Sequence, residues 1–316
     1  MLVTLNDILP AAQAGHYAIG LFNTTDTDML EAAISAAEEQ RSPIIIGTAE
    51  VLLPFGDLKL IAPSILAAAK RATVPVVMHY DHGLTFDRCM EALKLGFSSI
   101  MFDGSLNPPD QNLAATREIV KIAHSFGASV EGEIGHVGIA GITGDADRYT
   151  TVTEARAFVE ATGVDALAIA IGTAHGAYKT APVLDFQRLA EIRAAIKTPL
   201  VLHGGSGLTD DDFKKSVTGG IAKVNIFTDL CLAGRRAMEA GIAAGEDYLT
   251  IRNRKVAAIT AEARTKMRLF GSTGKADAPK VSPAAAGDEA LVGLVTKYIC
   301  DVLKESEGGK SSHILA

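Results

Sequence analysis

Three histidines stand at or just past the ends of apolar runs. They are His82 in Pro75-Val-Val-Met-His-Tyr-Asp-His-Gly83, His175 in Gly172-Thr-Ala-His-Gly176 and His203 in Leu200-Val-Leu-His-Gly-Gly-Ser-Gly207. Three imidazoles with one open position make a catalytic metal arrangement, best suited to zinc. Taken singly, each is more readily a histidine fixed by hydrogen bonds; three at corresponding positions favour the metal. Asp81 precedes His82. As a general acid/base it can move a proton on a substrate hydroxyl beside the metal; the competing role is to support a ligating histidine. Asp103, at the end of another apolar run, is the better candidate for that support. Glu131 and Glu133 share one strand face, and Glu133 joins Asp103 as a candidate for a further metal ligand or a support. His79, on the Asp81 face, reads as a packed interior histidine.

Two turns suit an anion. Gly204-Gly-Ser-Gly207 runs into Thr209-Asp-Asp211, a good helix start, and Asn225-Ile-Phe-Thr228 closes another apolar run. Backbone N–H groups exposed at a helix N-terminus bind phosphate. Lys223 lies on the same strand face as Asn225. It is a Schiff-base candidate, the metal-free route to a stabilised carbanion. The favoured alternative is an interior lysine paired with a carboxylate such as Glu131, because a Schiff base leaves the three histidines unexplained.

These residues converge only if their strands end on one face. Apolar runs at 17–23, 43–48, 75–83, 99–105, 129–135, 165–172, 199–207 and 221–228 alternate with amphipathic segments. That is the rhythm of a (β/α)8 TIM barrel, which gathers its strand C-termini at the active-site mouth. A doubly wound sheet would place a glycine-rich turn after its first strand, where this chain has Phe22-Asn-Thr-Thr25. The expected organisation is a catalytic barrel over 1–246 and a C-terminal helical extension and tail over 247–316. In the extension, residues 247–270 read as a helix. Leu291, Val292, Val295, Ile299, Val302 and Leu303 form an apolar stripe suited to the barrel or a second subunit.

Composition narrows the function classes. The chain has 316 residues and a net charge of -7, a mild acidic excess that argues against nucleic-acid and acidic-membrane partners. Cys89, Cys231 and Cys300 are widely spaced, so a disulfide framework or thiolate zinc site is not expected. No basic-then-apolar leader and no spanning apolar run is present, which leads to a cytoplasmic expectation.

The motifs together resemble one family, the class II (metal-dependent) ketose-bisphosphate aldolases, especially the tagatose/fructose-bisphosphate branch. The resemblance runs from about Leu5 to Ala244. It is carried by Ala18–Asn23, His79-Tyr-Asp-His-Gly83, Met101-Phe-Asp-Gly-Ser105 and Val130-Glu-Gly-Glu-Ile-Gly135. Ala168-Ile-Ala-Ile-Gly-Thr-Ala-His-Gly176, Leu202-His-Gly-Gly-Ser-Gly207 and Lys223-Val-Asn-Ile-Phe-Thr228 follow in family order. The resemblance implies that His82, His175 and His203 bind one zinc ion per subunit and that Asp81 is the catalytic acid/base. It further implies that Gly176, Gly204, Ser206, Asn225 and Thr228 hold the phosphate of dihydroxyacetone phosphate, with Asn23 as a further substrate contact. A Na+ or K+ ion nearby is common in the family. The chain departs from the pattern in the loop after the fifth strand. The family carries a glutamate-bearing run there, whereas Asp145 and Asp147 are the only carboxylates of this loop.

The expected activity is zinc-dependent, reversible aldol cleavage of a ketose (bis)phosphate to dihydroxyacetone phosphate and an aldehyde, in carbohydrate metabolism and glycolysis, by a homodimer or homotetramer. The alternatives are action on a ketose 1-phosphate and a non-catalytic sugar-phosphate binding protein. The phosphate cradle marks one end of the sugar. At the other end, Glu50 in Thr48-Ala-Glu-Val-Leu-Leu53 would repel an anion. Arg252, Arg254 and Lys255 are the candidate second site, or else a solvated helix face. The expectation is that a second phosphate is not strictly required.

Overall fold

Strands buried on both faces tend to near-continuous apolar sequence, and most of these strands have it over their first residues. The computed structural model describes residues 1–137, 149–176 and 182–277. These belong to the compact unit Met1–Val281; a second unit, Ser282–Ala316, and with it the apolar stripe from Leu291 to Leu303, lies outside the described residues. In chain order the elements are β1 (Leu2–Val3), α1 (Leu5–Ala14), β2 (Ile19–Asn23), α2 (Thr27–Gln40), β3 (Ile44–Ala49), a 3-10 turn (Glu50–Phe55), α3 (Leu58–Arg71), β4 (Val76–Gly83), α4 (Phe86–Lys94) and β5 (Ser99–Phe102). Then come α5 (Pro109–Ser125), β6 (Ser129–Ile134), α6 (Val152–Thr162), β7 (Ala166–Ile169), α7 (Phe186–Ala195), β8 (Leu200–Leu202), α8 (Asp210–Thr218), β9 (Ile221–Ile226), α9 (Thr228–Ala243) and α10 (Tyr248–Phe270). Strands β2 to β9 pair in parallel, each with the next, and β9 returns to β2. The result is a closed (β/α)8 TIM barrel.

Local chemistry starts the helices where the barrel needs them. Asp26 Oδ1 accepts from Met29 N at 2.8 Å and opens α2. Thr151 with Glu154, and Thr209 with Asp212, form capping boxes for α6 and α8. Helix α10 lies across α9 and α2, and its Phe270 carbonyl accepts from Ala18 N at 2.9 Å, just before β2. Among the described residues no helix is long and apolar enough to cross a membrane.

The barrel interior has two storeys. The lower one is apolar: Leu21, Ile45, Val77, Met101, Ala168 and Val201 pack with Leu5, Ile8, Leu9 and Ala12 of α1, which plugs the floor. Each large side chain so buried contributes about 1.5–3 kcal/mol. Neither β1 nor α1 is anticipated by the sequence reading. In the upper storey the inward positions turn polar, with Asn23, His79, Asp81, Glu131, Glu133, His203, Lys223 and Asn225 all buried.

A carboxylate on the floor ties three elements together. Asp165 accepts from Asn6 Nδ2 at 2.7 Å, from Val130 N at 2.7 Å and pairs with His124 Nε2 at 2.8 Å. The hydrogen bond to Asp165 raises the His124 pKa, outweighing partial burial. A raised folded-state pKa means that this pair's stabilisation is complete below the unfolded value, about 6.5, and is lost as pH rises through the folded one. The urea midpoint of the wild type should therefore exceed that of His124→Gln at about pH 5.5, and the gap should shrink by about pH 9.5. A gap that stays constant across that range would show that His124 acts by packing alone.

Candidate active site and metal centre

Asp81 and His82 are consecutive, so a regular strand would send them to opposite faces. The chain avoids this with a bulge. His82 takes a left-handed φ of 45°, and the β4–β5 register shifts between Tyr80 and Gly83. A bulge of this kind re-aims a side chain, here the His82 imidazole, toward the mouth beside Asp81. Holding a residue other than glycine at such a φ costs on the order of 1–3 kcal/mol, a strain typical of functional sites. Gly83 is needed next: a Cβ there would meet Cys89 Sγ at 2.6 Å and the Met101 carbonyl oxygen at 2.7 Å.

The three histidines converge. His175 comes from the turn after β7 and His203 directly follows β8. Ring centroids are 4.8 Å apart for His82–His175, 4.6 Å for His82–His203 and 5.9 Å for His175–His203. One ligand atom from each lies within 4.8 Å of the others.

The partners of two rings decide which nitrogens face inward. His82 Nδ1 donates to Asp103 Oδ2 at 2.8 Å, and Asp103 Oδ1 is held by Ser105 Oγ at 2.7 Å. His203 Nε2 donates to Glu131 Oε1 at 2.8 Å. That leaves His82 Nε2 and His203 Nδ1 facing each other at 2.8 Å. Two neutral rings so anchored would oppose two lone pairs, which is repulsive, so a cation belongs between them. Without a metal a proton takes that place: burial alone would lower the His82 pKa, but Asp81 and then Asp103 raise it to about 10. The same environment depresses His175, to about 3, and His203, chiefly by burial and then by the charge on His82. A tetrahedral zinc with Zn–N near 2.0–2.1 Å would set its nitrogens ~3.3 Å apart, so the donor set fits with a small parting of the rings.

Asp103 and Glu133 form a second group with His82, their ligand atoms also within 4.8 Å of one another. Glu133 is buried, and its Oε2 has no hydrogen-bond partner among the described residues. Burial first, and then the charge of Asp103, push its pKa well above the ordinary range. Both candidates from the sequence therefore stand at the centre.

Asp81 is gripped at both oxygens. Asn23 Nδ2 donates to Oδ2 at 2.8 Å and Asn225 Nδ2 to Oδ1 at 3.0 Å. Burial would raise its pKa, but the positive charge on His82, and then Lys223, hold it well below the carboxylate range. Asp81 is thus ionised, with both oxygens oriented. Lys223 Nζ donates to Asn225 Oδ1 at 2.8 Å and lies 2.8 Å from Glu131 Oε2. This is the interior ion pair the sequence favours over a Schiff base. His79 is buried and bonded to Ser99 Oγ at 2.8 Å, and burial, then Lys223, lower its pKa to about 3; it is a neutral packed histidine.

The candidate phosphate residues divide. Ser206 Oγ accepts from Phe227 N at 3.3 Å and Asp229 N at 3.4 Å, which joins the glycine turn after β8 to the N-terminus of α9 at Thr228. Gly204 has a φ of 65°, and a Cβ there would meet the Ala174 carbonyl oxygen at 2.4 Å. Gly176 ends the described stretch with a φ of 93°. The Asn225 side chain is not with this group; it and Asn23 point at Asp81. Asp145 and Asp147 lie outside the described residues.

The basic cluster considered for a second phosphate is paired internally. Arg252 binds Asp28 and Glu31, Arg254 binds Glu246, and Lys255 binds Asp26 and Asp28. Glu50 accepts from Leu84 N at 2.8 Å and so ties the 3-10 turn to the end of β4. Two features escape sequence reasoning: the bulge at His82, and the hold of Glu131 on His203. Glu131 does leave a signal, as a charged residue inside a buried strand, on the same inward series as Glu133.

The chain is similar to known proteins along most of its length. The family profile described as fructose-bisphosphate aldolase class-II matches residues 3–275. The chain is 38% identical over 283 residues to a 6-phospho-5-dehydro-2-deoxy-D-gluconate aldolase of Halalkalibacterium halodurans, covering 87% of this chain and 98% of the relative. It is 38% identical over 283 residues to a probable fructose-bisphosphate aldolase of Bacillus subtilis, covering 87% and 99%. Among solved structures, the YdjI aldolase of Escherichia coli K12 superposes with a TM-score of 0.80 at 36% identity, covering 88% of this chain and 100% of that one.

Proposed function

We propose that this chain, which belongs to the class-II fructose-bisphosphate aldolase family and is accordingly a carbon–carbon lyase, holds one zinc ion on His82, His175 and His203 and cleaves a ketose phosphate to dihydroxyacetone phosphate and an aldehyde. The observation that carries this reading is the facing pair His82 Nε2 and His203 Nδ1, which calls for a cation beside an ionised Asp81. When bound, the metal supplies Lewis acidity at the ketone oxygen and stabilises the charge left by C–C cleavage. Asp103 and Glu131 fix the two ligating rings, and Glu133 is a reserve ligand at the same centre. Asp81 takes the proton of the substrate hydroxyl during cleavage and returns it to the aldehyde oxygen in condensation. Asn23 and Asn225 hold both its oxygens in place for that transfer. Gly176, Gly204, Ser206 and Thr228 bind the phosphate at the start of α9, away from the breaking bond, and so position the substrate. A Na+ or K+ ion beside that phosphate belongs to the same reading. The protein acts in carbohydrate metabolism in the cytoplasm, as a homodimer or homotetramer.

A single phosphate suffices in this reading. The Halalkalibacterium relative is named for a substrate with one phosphate. The cations considered for a second one, Arg252, Arg254 and Lys255, are engaged by acids of this chain. Turnover of matched ketose 1-phosphates, ketose 1,6-bisphosphates and 6-phospho-5-dehydro-2-deoxygluconate, with detection of dihydroxyacetone phosphate, tests it. The expected result is cleavage of a singly phosphorylated ketose about as fast as of any bisphosphate. A bidentate arginine–phosphate contact is strong, so a roughly hundredfold preference for a bisphosphate, lost in Arg252→Ala or Arg254→Ala, would restore the two-phosphate substrate.

A further inference from the structure

Asn225 ends in two groups of nearly the same shape and opposite hydrogen-bonding sense. Its Nδ2 donates to Asp81 Oδ1 at 3.0 Å. Turned over, the amide would set its oxygen against the carboxylate, two acceptors face to face. Its other end is held by Lys223 Nζ, 2.8 Å from Asn225 Oδ1. An ammonium only donates, so it accepts one orientation of this amide and rejects the other. The same ammonium lies 2.8 Å from Glu131 Oε2, while Glu131 Oε1 takes the Nε2 proton of His203. Lys223 and Glu131 are fully buried and Asn225 nearly so, so water does not substitute for either contact.

We propose that Lys223 is a positioning residue for the lyase reaction: it fixes the orientation of the Asn225 amide that aims Asp81 and, through Glu131, the nitrogen that His203 turns to the metal. One buried cation thus connects the proton-transfer group with a metal ligand. This inference rests on the role assigned to Asp81 above.

A simpler role for Lys223 is to neutralise Glu131, and a pair of variants separates the two. Lys223→Met alone leaves Glu131 buried and unpaired, which lowers metal content under either role. Lys223→Met combined with Glu131→Gln removes both charges and keeps an acceptor for His203 Nε2. If neutralisation is all that Lys223 does, this double variant regains zinc content and turnover alike. If Lys223 positions Asn225, zinc content returns to within about twofold of wild type. Turnover per bound zinc stays roughly a hundredfold down, as for a lost acid/base contribution, with little change in KM for the ketose phosphate. Adding Asn225→Ala to the double variant should then lower turnover little further, because the amide is already unaligned. Full turnover per zinc in the double variant, or a full additional loss from Asn225→Ala, overturns the proposal. Should the double variant not fold, Lys223→Arg serves. It keeps the charge beside Glu131, but its planar fork does not reproduce the single-point contact at Asn225 Oδ1. Turnover per zinc should again fall, and full turnover in this variant also overturns the proposal. Asp81→Asn in the same assay distinguishes the two levels. An active Asp81→Asn enzyme removes the premise; an inactive one beside a fully active Lys223 variant removes only this inference.

Discussion

Asp81→Asn is expected to lower the rate constant for cleavage by roughly 10²–10⁴-fold, the range for losing an acid/base group, while metal content stays normal. The substitution keeps shape and removes the proton acceptor. It also disturbs the grip on the side chain. Asn23 and Asn225 each donate to one oxygen of Asp81, so an amide there meets a donor with a donor at one of its two ends. The loss should therefore fall toward the upper part of the range. The measurement is single-turnover cleavage alongside zinc analysis of the same sample. A variant that loses zinc but keeps its turnover per bound metal would make Asp81 a support for His82 rather than the acid/base.

Removing the metal is expected to abolish cleavage, and zinc to restore it. The inward nitrogens of His82 and His203 stand 2.8 Å apart and call for a cation. Because metal binds the folded site and not the unfolded chain, it also stabilises the fold, by about 2.7 kcal/mol at a hundred times its Kd. Thermal unfolding should thus shift upward on zinc addition in wild type. His175→Ala should keep the fold, lose bound zinc and lose that shift. This histidine is the informative one, since His82 and His203 also hold Asp103 and Glu131 in place. Full activity in a strong chelator, with substrate trapped on Lys223 by borohydride, would instead establish the Schiff-base route.

How much of this was legible beforehand depends on what kind of contact was involved. The eight barrel strands announce themselves because each is buried on both faces, and β3, Ile44–Ala49, is apolar or small throughout. The three converging histidines and Asp81 are legible because barrel topology alone carries strand ends to one place. Their alignment is not, because it depends on a left-handed φ at His82, a residue type that gives no warning of it. Helix α1 was hidden by its shortness and by Pro10 in its interior, and its apolar face makes sense only against the barrel floor. The pairing of Lys223 with Glu131 was readable, since a charge inside an apolar strand needs a partner. That Lys223 also binds Asn225 was not, because a shared strand face does not by itself show which side chains touch. The clustering of Arg252, Arg254 and Lys255 suggested an anion site, but sequence could not reveal the acids of α2 that face two of them.

The plug beneath the barrel has a consequence in time. Helix α1 is made on the ribosome before any barrel strand, yet the cluster that buries its apolar face also contains Ala166, Val201 and Ala222, which are made after the early strands. Until β7 to β9 emerge, the cluster that buries Leu5, Ile8 and Leu9 is incomplete, and the nascent chain carries an amphipathic helix with part of its apolar face uncovered. Domains bounded by such distant contacts close slowly and are prone to wrong partners on the way. A helix that precedes every barrel strand in the chain thus finds its complete cover only once the last strands are in place.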